Sequence, residues 1–385
     1  MRFLVIGAGK QGSACALDLL RQTATTSVIL ADRTVDQLPS FLEPLRGDTR
    51  LEVVRLDLAD QAAARALMGR VDCVLSAAPY YFNADLTKLA VDAGVHFADL
   101  GGNTQVVLEQ KQLDAEAKRK GVKVIPDCGL APGMVNILAG EGIKRLDQAE
   151  SVKIYVGGLP QHPEPPLNYM VVYSLEGALD YYTTPSRVLR GGKMVRVEAL
   201  SELEDIDFPA PIGRLEAFHT GGGISTMPFS YEGRIPVMEY KTLRYPGHVA
   251  IMKPIRDLGL LDTTPIAVDG LAEKVSPRTM FIAAVSSKLT KPHGRDLVAL
   301  RVEVKGTNGG KPAGTRWQMV DRYDEKGNVT AMMRTTGYSL SVTGIMQCDG
   351  RIARAGVNVP DECVAAAPYV AELGKRGIVI EETAI

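Results

Sequence analysis

Gly7-Ala8-Gly9-Lys10-Gln11-Gly12 follows at once on the apolar run Phe3-Leu4-Val5-Ile6 and opens an amphipathic stretch, Gly12–Arg21. A strand, a glycine loop and a helix in that order make a phosphate cradle. The first glycine permits the tight turn, the second lets backbone approach a pyrophosphate, and the third lets helix and strand pack closely. Free N–H groups and the helix dipole then hold the phosphates. Asp32 ends the next strand-like run 20 residues after Gly12, where a ribose-binding carboxylate belongs. It accepts hydrogen bonds from ribose hydroxyls and repels a 2′-phosphate, which favours NAD. Arg33 beside it could hold that phosphate instead, so NADP stays open. Asp57, after the third strand, either meets the adenine edge or caps the helix that starts near Asp60.

Outward from the loop, six short apolar runs read as strands: Phe3 to Ile6, Ser27 to Ala31, Leu51 to Leu56, Val71 to Ser76, Val95 to Ala98 and Val122 to Ile125. Helix candidates lie between them at Gly12–Arg21, Ala59–Met68, Ala84–Ala93 and Thr104–Lys120. Near-continuous apolar strands separated by helices imply an α/β fold, a doubly wound parallel Rossmann sheet covered on both faces. This dinucleotide-binding domain is expected over residues 1–133. From about Gln148 the pattern turns to long alternating runs with hairpin-like breaks, such as Ser151–Gly157 and Leu297–Lys305. Trp317–Asp324 and Val329–Arg334 read as antiparallel strands joined at Glu325–Asn328. Residues 134–345 are thus expected to form an α+β substrate and dimerisation domain with a mixed sheet. Residues 346–385 carry a helical pattern at Glu362–Arg376 and are expected to pack back on the first domain.

Composition narrows the partners. Among 385 residues, 44 basic and 45 acidic side chains leave a net charge of −1. No basic surplus exists to neutralise phosphates, so nucleic acid is not expected. No apolar run reaches the ~18–20 residues that span a bilayer, so a membrane is not expected either. The first residues run straight into the glycine loop without a signal-peptide core. The cysteines Cys15, Cys73, Cys128, Cys348 and Cys363 form neither a disulfide framework nor a zinc pattern. A cytoplasmic chain is expected. No metal-ligand spacing of the H-x-x-x-H, H-E-x-x-H or EF-hand type occurs, so no metal is indicated.

Ligands of open α/β sheets bind at the carboxyl ends of the strands. Three loops there stand out. Ala77-Ala78 offer small residues for nicotinamide and ribose, and Tyr81 follows as a pocket wall. Asp99-Leu100-Gly101-Gly102 brings a carboxylate beside flexible backbone, and Asp127 opens the loop that leads into the second domain. The plainer reading of both aspartates is a turn or cap. The second domain supplies Glu216-Ala217-Phe218-His219-Thr220 and Tyr240-Lys241-Thr242-Leu243-Arg244-Tyr245. Arg244 is the expected anchor of an α-carboxylate, because its planar fork binds both oxygens. Lys241 and His219 are alternative proton carriers. Cys128 reads as a buried, inert thiol.

The chain resembles the saccharopine dehydrogenase-like group of amino-acid dehydrogenases, and within it most closely the lysine 6-dehydrogenases. The resemblance runs from the glycine loop through Asp99-Leu100-Gly101-Gly102, Pro126-Asp127 and Ala131-Pro132-Gly133-Met134. It continues through Tyr155-Val156-Gly157-Gly158-Leu159-Pro160, Ser174-Leu175-Glu176-Gly177, Glu216-Ala217-Phe218-His219-Thr220, Glu239-Tyr240-Lys241-Thr242 and Arg334-Thr335-Thr336. Lys10-Gln11 stands where lysine dehydrogenases carry apolar residues. The resemblance implies NAD-dependent oxidative deamination of L-lysine at its ε-carbon, giving 2-aminoadipate 6-semialdehyde and ammonia. It also implies a homodimer or larger homo-oligomer.

That chemistry sets its own demand. Hydride leaves the ε-carbon only when the attached nitrogen can donate its lone pair. A free lysine amine, with pKa ~10.4, costs roughly 4–5 kcal/mol to deprotonate at pH 7. A desolvated pocket or a proton acceptor must meet that cost. Asp99 and Lys241 are the expected acceptors. Two other readings stay open. A saccharopine or carboxynorspermidine-type reductase using NADPH needs more than one arginine, for which Arg214 and Arg334 are available. A non-catalytic redox sensor would bind the dinucleotide without turnover.

Overall fold

The structure is a computed structural model that describes residues 1–291 and 293–385. Its first sheet contains β1 (Arg2–Ile6), β2 (Ser27–Asp32), β3 (Leu51–Arg55), β4 (Cys73–Ser76), β5 (His96–Asp99) and β6 (Lys123–Ile125). They pair in parallel in the order β3-β2-β1-β4-β5-β6. Strand order reverses beside β1, which opens a crevice beyond the carboxyl ends of β1 and β4. Alternate residues feed two cores. Phe3, Val5, Val28, Leu30 and Leu75 pack with the helices Lys10–Leu20 and Ala331–Cys348. Leu4, Ile6, Ile29, Ala31 and Val74 pack with Gln61–Met68 and Asn83–Ala93. β3 departs from the expected two-sided burial because it is an edge, with Glu52, Val53 and Arg55 exposed. The stretch read as one helix, Thr104–Lys120, is two, Thr104–Lys111 and Asp114–Arg119. Leu113 turns into the core between them.

The second sheet is mixed. It contains β7 (Gln148–Pro160), β8 (Ser186–Arg190), β9 (Lys193–Val197), β10 (Glu204–Phe208), β11 (Gly213–His219), β12 (Val237–Arg244), β13 (Asp296–Asn308) and β14 (Lys311–Arg322). The order β10-β11-β12-β7-β13-β14 is antiparallel except for the parallel pair β12–β7, and β8 and β9 attach beside β12. The expected hairpin at Glu325–Asn328 does not form. β14 pairs instead with β13 across Gly309-Gly310, and only Asp324 and Val329 bridge further on. From Ala331 the chain is helical, because its first-turn amides find acceptors. Thr330 Oγ1 accepts from the Met333 amide at 3.1 Å, and the Asp296 carboxylate accepts from Ala331 and Met332 at 2.7 and 2.9 Å.

The last residues divide between the two sheets. β15 (Gly356–Val357) extends the first sheet beside β6, whereas β16 (Glu381–Ala384) pairs with β14 in the second. The helix Ala331–Cys348 also serves both bodies. It lies against the helix Lys10–Leu20 so closely that a Cβ on Gly337 would stand 2.6 Å from the Gln11 carbonyl oxygen. The glycine loop is thereby held against the second body.

Candidate active site

The glycine loop has the geometry its spacing implies. Gly7 adopts φ +100°, and a Cβ on it would stand 2.8 Å from the Ala77 carbonyl oxygen. A Cβ on Gly12 would stand 1.8 Å from the Gly7 carbonyl oxygen, whereas one on Gly9 would meet nothing within 4 Å. Only the middle glycine faces open space. No side chain caps the helix Lys10–Leu20, which leaves its first amides for a ligand. Asp32 accepts from the Ala8 amide at 2.7 Å and the Thr34 amide at 2.8 Å, which fixes its carboxylate at the end of the cradle. Lys10 and Arg33 are exposed. Ala77 donates its amide to Ile6 at 2.8 Å, and Ala78 lines the crevice. Open face, free amides and terminal carboxylate together fit a dinucleotide. Asp57 neither caps a helix nor has a buried place: it is exposed and accepts from the Ala59 amide at 2.9 Å, while Asp60 caps the helix.

Gln11 stands in the first turn of the helix Lys10–Leu20. It lines two adjoining cavities, of about 230 and 700 Å³, between the loop and the second sheet. Arg244 lines the smaller one and is 3% exposed. Its Nε donates to the Tyr182 hydroxyl at 3.1 Å and its Nη1 to the Leu243 carbonyl at 2.8 Å, and it lies over the Tyr169 ring at 4.9 Å. Among the described residues no carboxylate pairs with it. A buried guanidinium without a counter-charge is costly unless a ligand supplies one. Tyr182 in turn bonds His248 Nε2 at 3.0 Å, and His248 Nδ1 bonds the Leu167 carbonyl at 3.1 Å. Burial pushes the His248 pKa down to about 3. The neutral ring donates from Nδ1, accepts at Nε2, and so orients the phenol that steadies Arg244.

The cavity wall is aromatic, with Tyr173, Tyr181 and Tyr240. These rings explain two glycines of the run Gly221-Gly222-Gly223: a Cβ on Gly222 would stand 2.9 Å from Tyr181, and one on Gly223 would stand 2.4 Å from Tyr240, whereas one on Gly221 would meet Thr184 at 2.8 Å. Sequence reasoning quoted Tyr240 and Thr242 only as part of the run that ends in Tyr245, quoted Thr336 only for the family resemblance, and missed Tyr173, Tyr181 and Met332 of the same wall. Strand alternation carries part of the missing signal, since Tyr240, Thr242 and Arg244 lie two apart on β12.

The two aspartates differ in kind. Asp99 is buried and satisfied. Its Oδ1 accepts from Gly101 and Asp127 amides at 2.7 and 3.3 Å, and its Oδ2 from Gln110 Nε2 at 2.7 Å. Burial pushes it up to about 6, but it braces the loop and has no free face toward substrate. Asp127 is also buried, in left-handed backbone at φ +62°, and neither of its carboxylate oxygens has a hydrogen bond of full geometry. Burial pushes it up to about 7, with the Ser225 hydroxyl opposing the rise.

Three further expectations fail on orientation. Lys241 and Tyr245 turn to the sheet face opposite the cavity, because their positions are odd where those of Tyr240, Thr242 and Arg244 are even, and His219 shares that face because it pairs directly with Lys241 across β11 and β12. Lys241 Nζ is held by the Glu204 carboxylate and the Glu202 carbonyl, at 2.8 and 2.7 Å. His219 is wedged between Glu202 and the Tyr240 carbonyl, at 3.1 and 3.2 Å. Tyr245 donates to the Pro160 carbonyl at 3.1 Å. Tyr81 is 63% exposed, and Tyr80 takes its place on the crevice wall. Glu202, His219 and Glu239 do bring potential metal ligands within 4.8 Å of one another. Arg190 Nη2 already bonds both carboxylates, at 2.9 and 2.6 Å, and fills the place of a cation. The spare arginines are engaged as well: Arg334 with Asp321 at 2.9 Å, Arg214 with Asp205 at 3.4 Å.

A family model described as the saccharopine dehydrogenase C-terminal domain matches residues 129–378, and one described as the saccharopine dehydrogenase NADP binding domain matches residues 3–125. The chain belongs to the saccharopine dehydrogenase family. It is accordingly an oxidoreductase that works with a nicotinamide dinucleotide. Saccharopine dehydrogenase [NADP(+), L-glutamate-forming] of Schizosaccharomyces pombe is 23% identical, over 99% of this chain and 98% of its own. The solved apo saccharopine dehydrogenase (L-Glu forming) from Saccharomyces cerevisiae superposes with a TM-score of 0.81 at 20% identity, covering 100% of this chain and 99% of that one. Homospermidine synthase from Legionella pneumophila, solved in complex with NAD, superposes at 0.70 with 11% identity, covering 100% and 91%. Among the described residues no helix is long and apolar enough to cross a membrane.

Proposed function

We propose that the chain oxidises L-lysine at its ε-carbon with NAD, giving 2-aminoadipate 6-semialdehyde and ammonia. The observation that carries this reading is Arg244, a buried guanidinium without a carboxylate partner, on the wall of a tyrosine-lined cavity that reaches the glycine loop. One fork takes one α-carboxylate. Arg214 and Arg334, which a substrate with more carboxylates would call on, are paired elsewhere. The wall of phenols and apolar groups desolvates the far amine and favours its neutral form. The bound dinucleotide supplies the hydride acceptor, and this chain's part is to hold, orient and deprotonate the amine. Asp32 favours NAD by accepting from ribose hydroxyls and repelling a 2′-phosphate. A homo-oligomer goes with this reading and is tested by light scattering on the eluting protein.

A saccharopine-type dehydrogenase is the second reading. The adjoining cavity of about 700 Å³ favours it, since Arg187 stands on its wall and a longer N-substituted lysine would fill it. The named relatives favour it too. Absorbance of the reduced coenzyme, followed with lysine, ornithine and saccharopine, each with NAD and NADP, separates the two. Turnover of lysine with NAD is expected, and turnover of saccharopine alone would overturn the first reading. Asp32→Ala should shift the NADP-to-NAD preference by about tenfold toward NADP, the loss of one charge-assisted hydrogen bond. An unchanged ratio would remove Asp32 from coenzyme choice.

A further inference from the structure

The reaction needs a proton acceptor, and the two expected from sequence are both engaged, Asp99 by three donors and Lys241 on the far sheet face. Asp127 is the buried acid behind the wall of these cavities, with no hydrogen bond of full geometry to its oxygens and with the Ser225 hydroxyl and the Gly102 amide nearest them. A Cβ on Gly101 would stand 1.9 Å from its Oδ1, so only a glycine fits between this carboxylate and the cavities that Gly101 and Gly102 line. Ser225, from the second body, stands across from it on the wall of the larger cavity, and its hydroxyl also lacks a hydrogen bond of full geometry. Ser225 shares the left-handed backbone, at φ +46°. A buried acid and the hydroxyl nearest it, both in left-handed backbone where the two bodies meet, are an expense that a purely structural role does not explain.

We infer that Asp127 is the terminal base of a proton relay: the Ser225 hydroxyl, on the wall of the larger cavity, takes the proton of the substrate ammonium and gives its own to Asp127, and the proton later leaves by the same route. This rests on the amine-oxidation reading above. The relay moves one proton from R–CH2–NH3+ to Asp127, leaving the neutral amine. The carbon then gives a hydride to the coenzyme and becomes R–CH=NH2+. Water adds to that carbon, and the C–N bond breaks to give R–CHO and NH4+. One proton per turnover remains on Asp127 and leaves through Ser225, which balances the overall reaction.

Burial sets the working range of this carboxyl at about 7; Asp99 on β5 and Asp361 on the C-terminal segment add to the rise, while Ser225 and the Gly102 amide oppose it. Tyr181, whose own pKa the Asp127 charge helps to raise, faces it from the second body. The carboxylate accepts only when ionised, so kcat should climb as pH rises through about 7.

The test uses the full-length protein with whichever amino acid of the panel it oxidises. Asp127→Asn should lower kcat by roughly 10²–10⁴-fold and abolish the rising limb, with coenzyme affinity unchanged. Asp127→Gly, which suits the left-handed backbone, should be equally slow but regain turnover with added formate. Lys241→Met should keep the wild-type pH profile. A wild-type enzyme that oxidises an amine while both Asp127 variants keep its rate and profile would overturn the inference alone. A wild-type enzyme that oxidises no amine would overturn the reading beneath it as well.

Discussion

Arg244 shows how much one side chain can say about a ligand. Its charge is out of water, held by a phenol, a carbonyl and a ring face, and none of these returns the charge. The group that does so must arrive with the substrate. Arg244→Lys keeps the charge but loses the planar fork, so it should raise KM for the amino acid by about 100-fold, or about 3 kcal/mol. NAD affinity should not change, and an unchanged KM would place the carboxylate elsewhere. The residue type is legible in the sequence, because only arginine offers two parallel donors to one carboxylate. The isolation of Arg244 is not. It depends on Asp205 and Asp321 occupying the other arginines, pairings set by strand register and helix packing. Asp99 misleads for the same reason, since Gln110, which satisfies it, sits on a different element.

β12 carries the lesson at the next scale up. Its even positions face the substrate cavity and its odd ones a charged network, so Lys241 and Arg244, three apart, cannot share a site. The sequence pattern marks the whole run as one cluster because clustering in sequence ignores which way a strand turns its side chains. The glycine loop is readable in full, since each of its glycines answers a local need for turn, approach or packing. The network behind β12 holds the sheet together. Glu239, 5% exposed, depends on Arg190 and Lys153 for its counter-charge. Arg190→Ala should therefore destabilise the protein by about 1–2 kcal/mol, because it leaves a buried carboxylate with Lys153 as its remaining close cation. The folded fraction should retain its kcat. Calorimetry and active-site titration together check this, and loss of kcat with unchanged stability would move the network into the site.

Over the whole molecule, two sheets share one helix and one C-terminal segment. Arg376 in that segment bonds both oxygens of Asp18, an acid 1% exposed on the first helix, at 2.8 Å. Tyr369 bonds Ser339 at 2.5 Å inside the core. Removing residues 350–385 should cost Asp18 its cation, uncover the β6 edge and leave no cooperative melt, because the lost ion pair, about 3 kcal/mol, adds to the burial of Tyr369, Leu373 and Ile378, about 1.5–3 kcal/mol each, against a total near 5–15 kcal/mol. A sharp calorimetric transition in the shortened chain would contradict this. The shared architecture also sets the order of events on the ribosome. The nascent coenzyme sheet leaves the exit tunnel early, but its seventh strand and covering helix are translated more than 200 residues after β6. Until they emerge, the helix Lys10–Leu20 covers only part of one apolar face of that sheet, so its burial is completed late in synthesis.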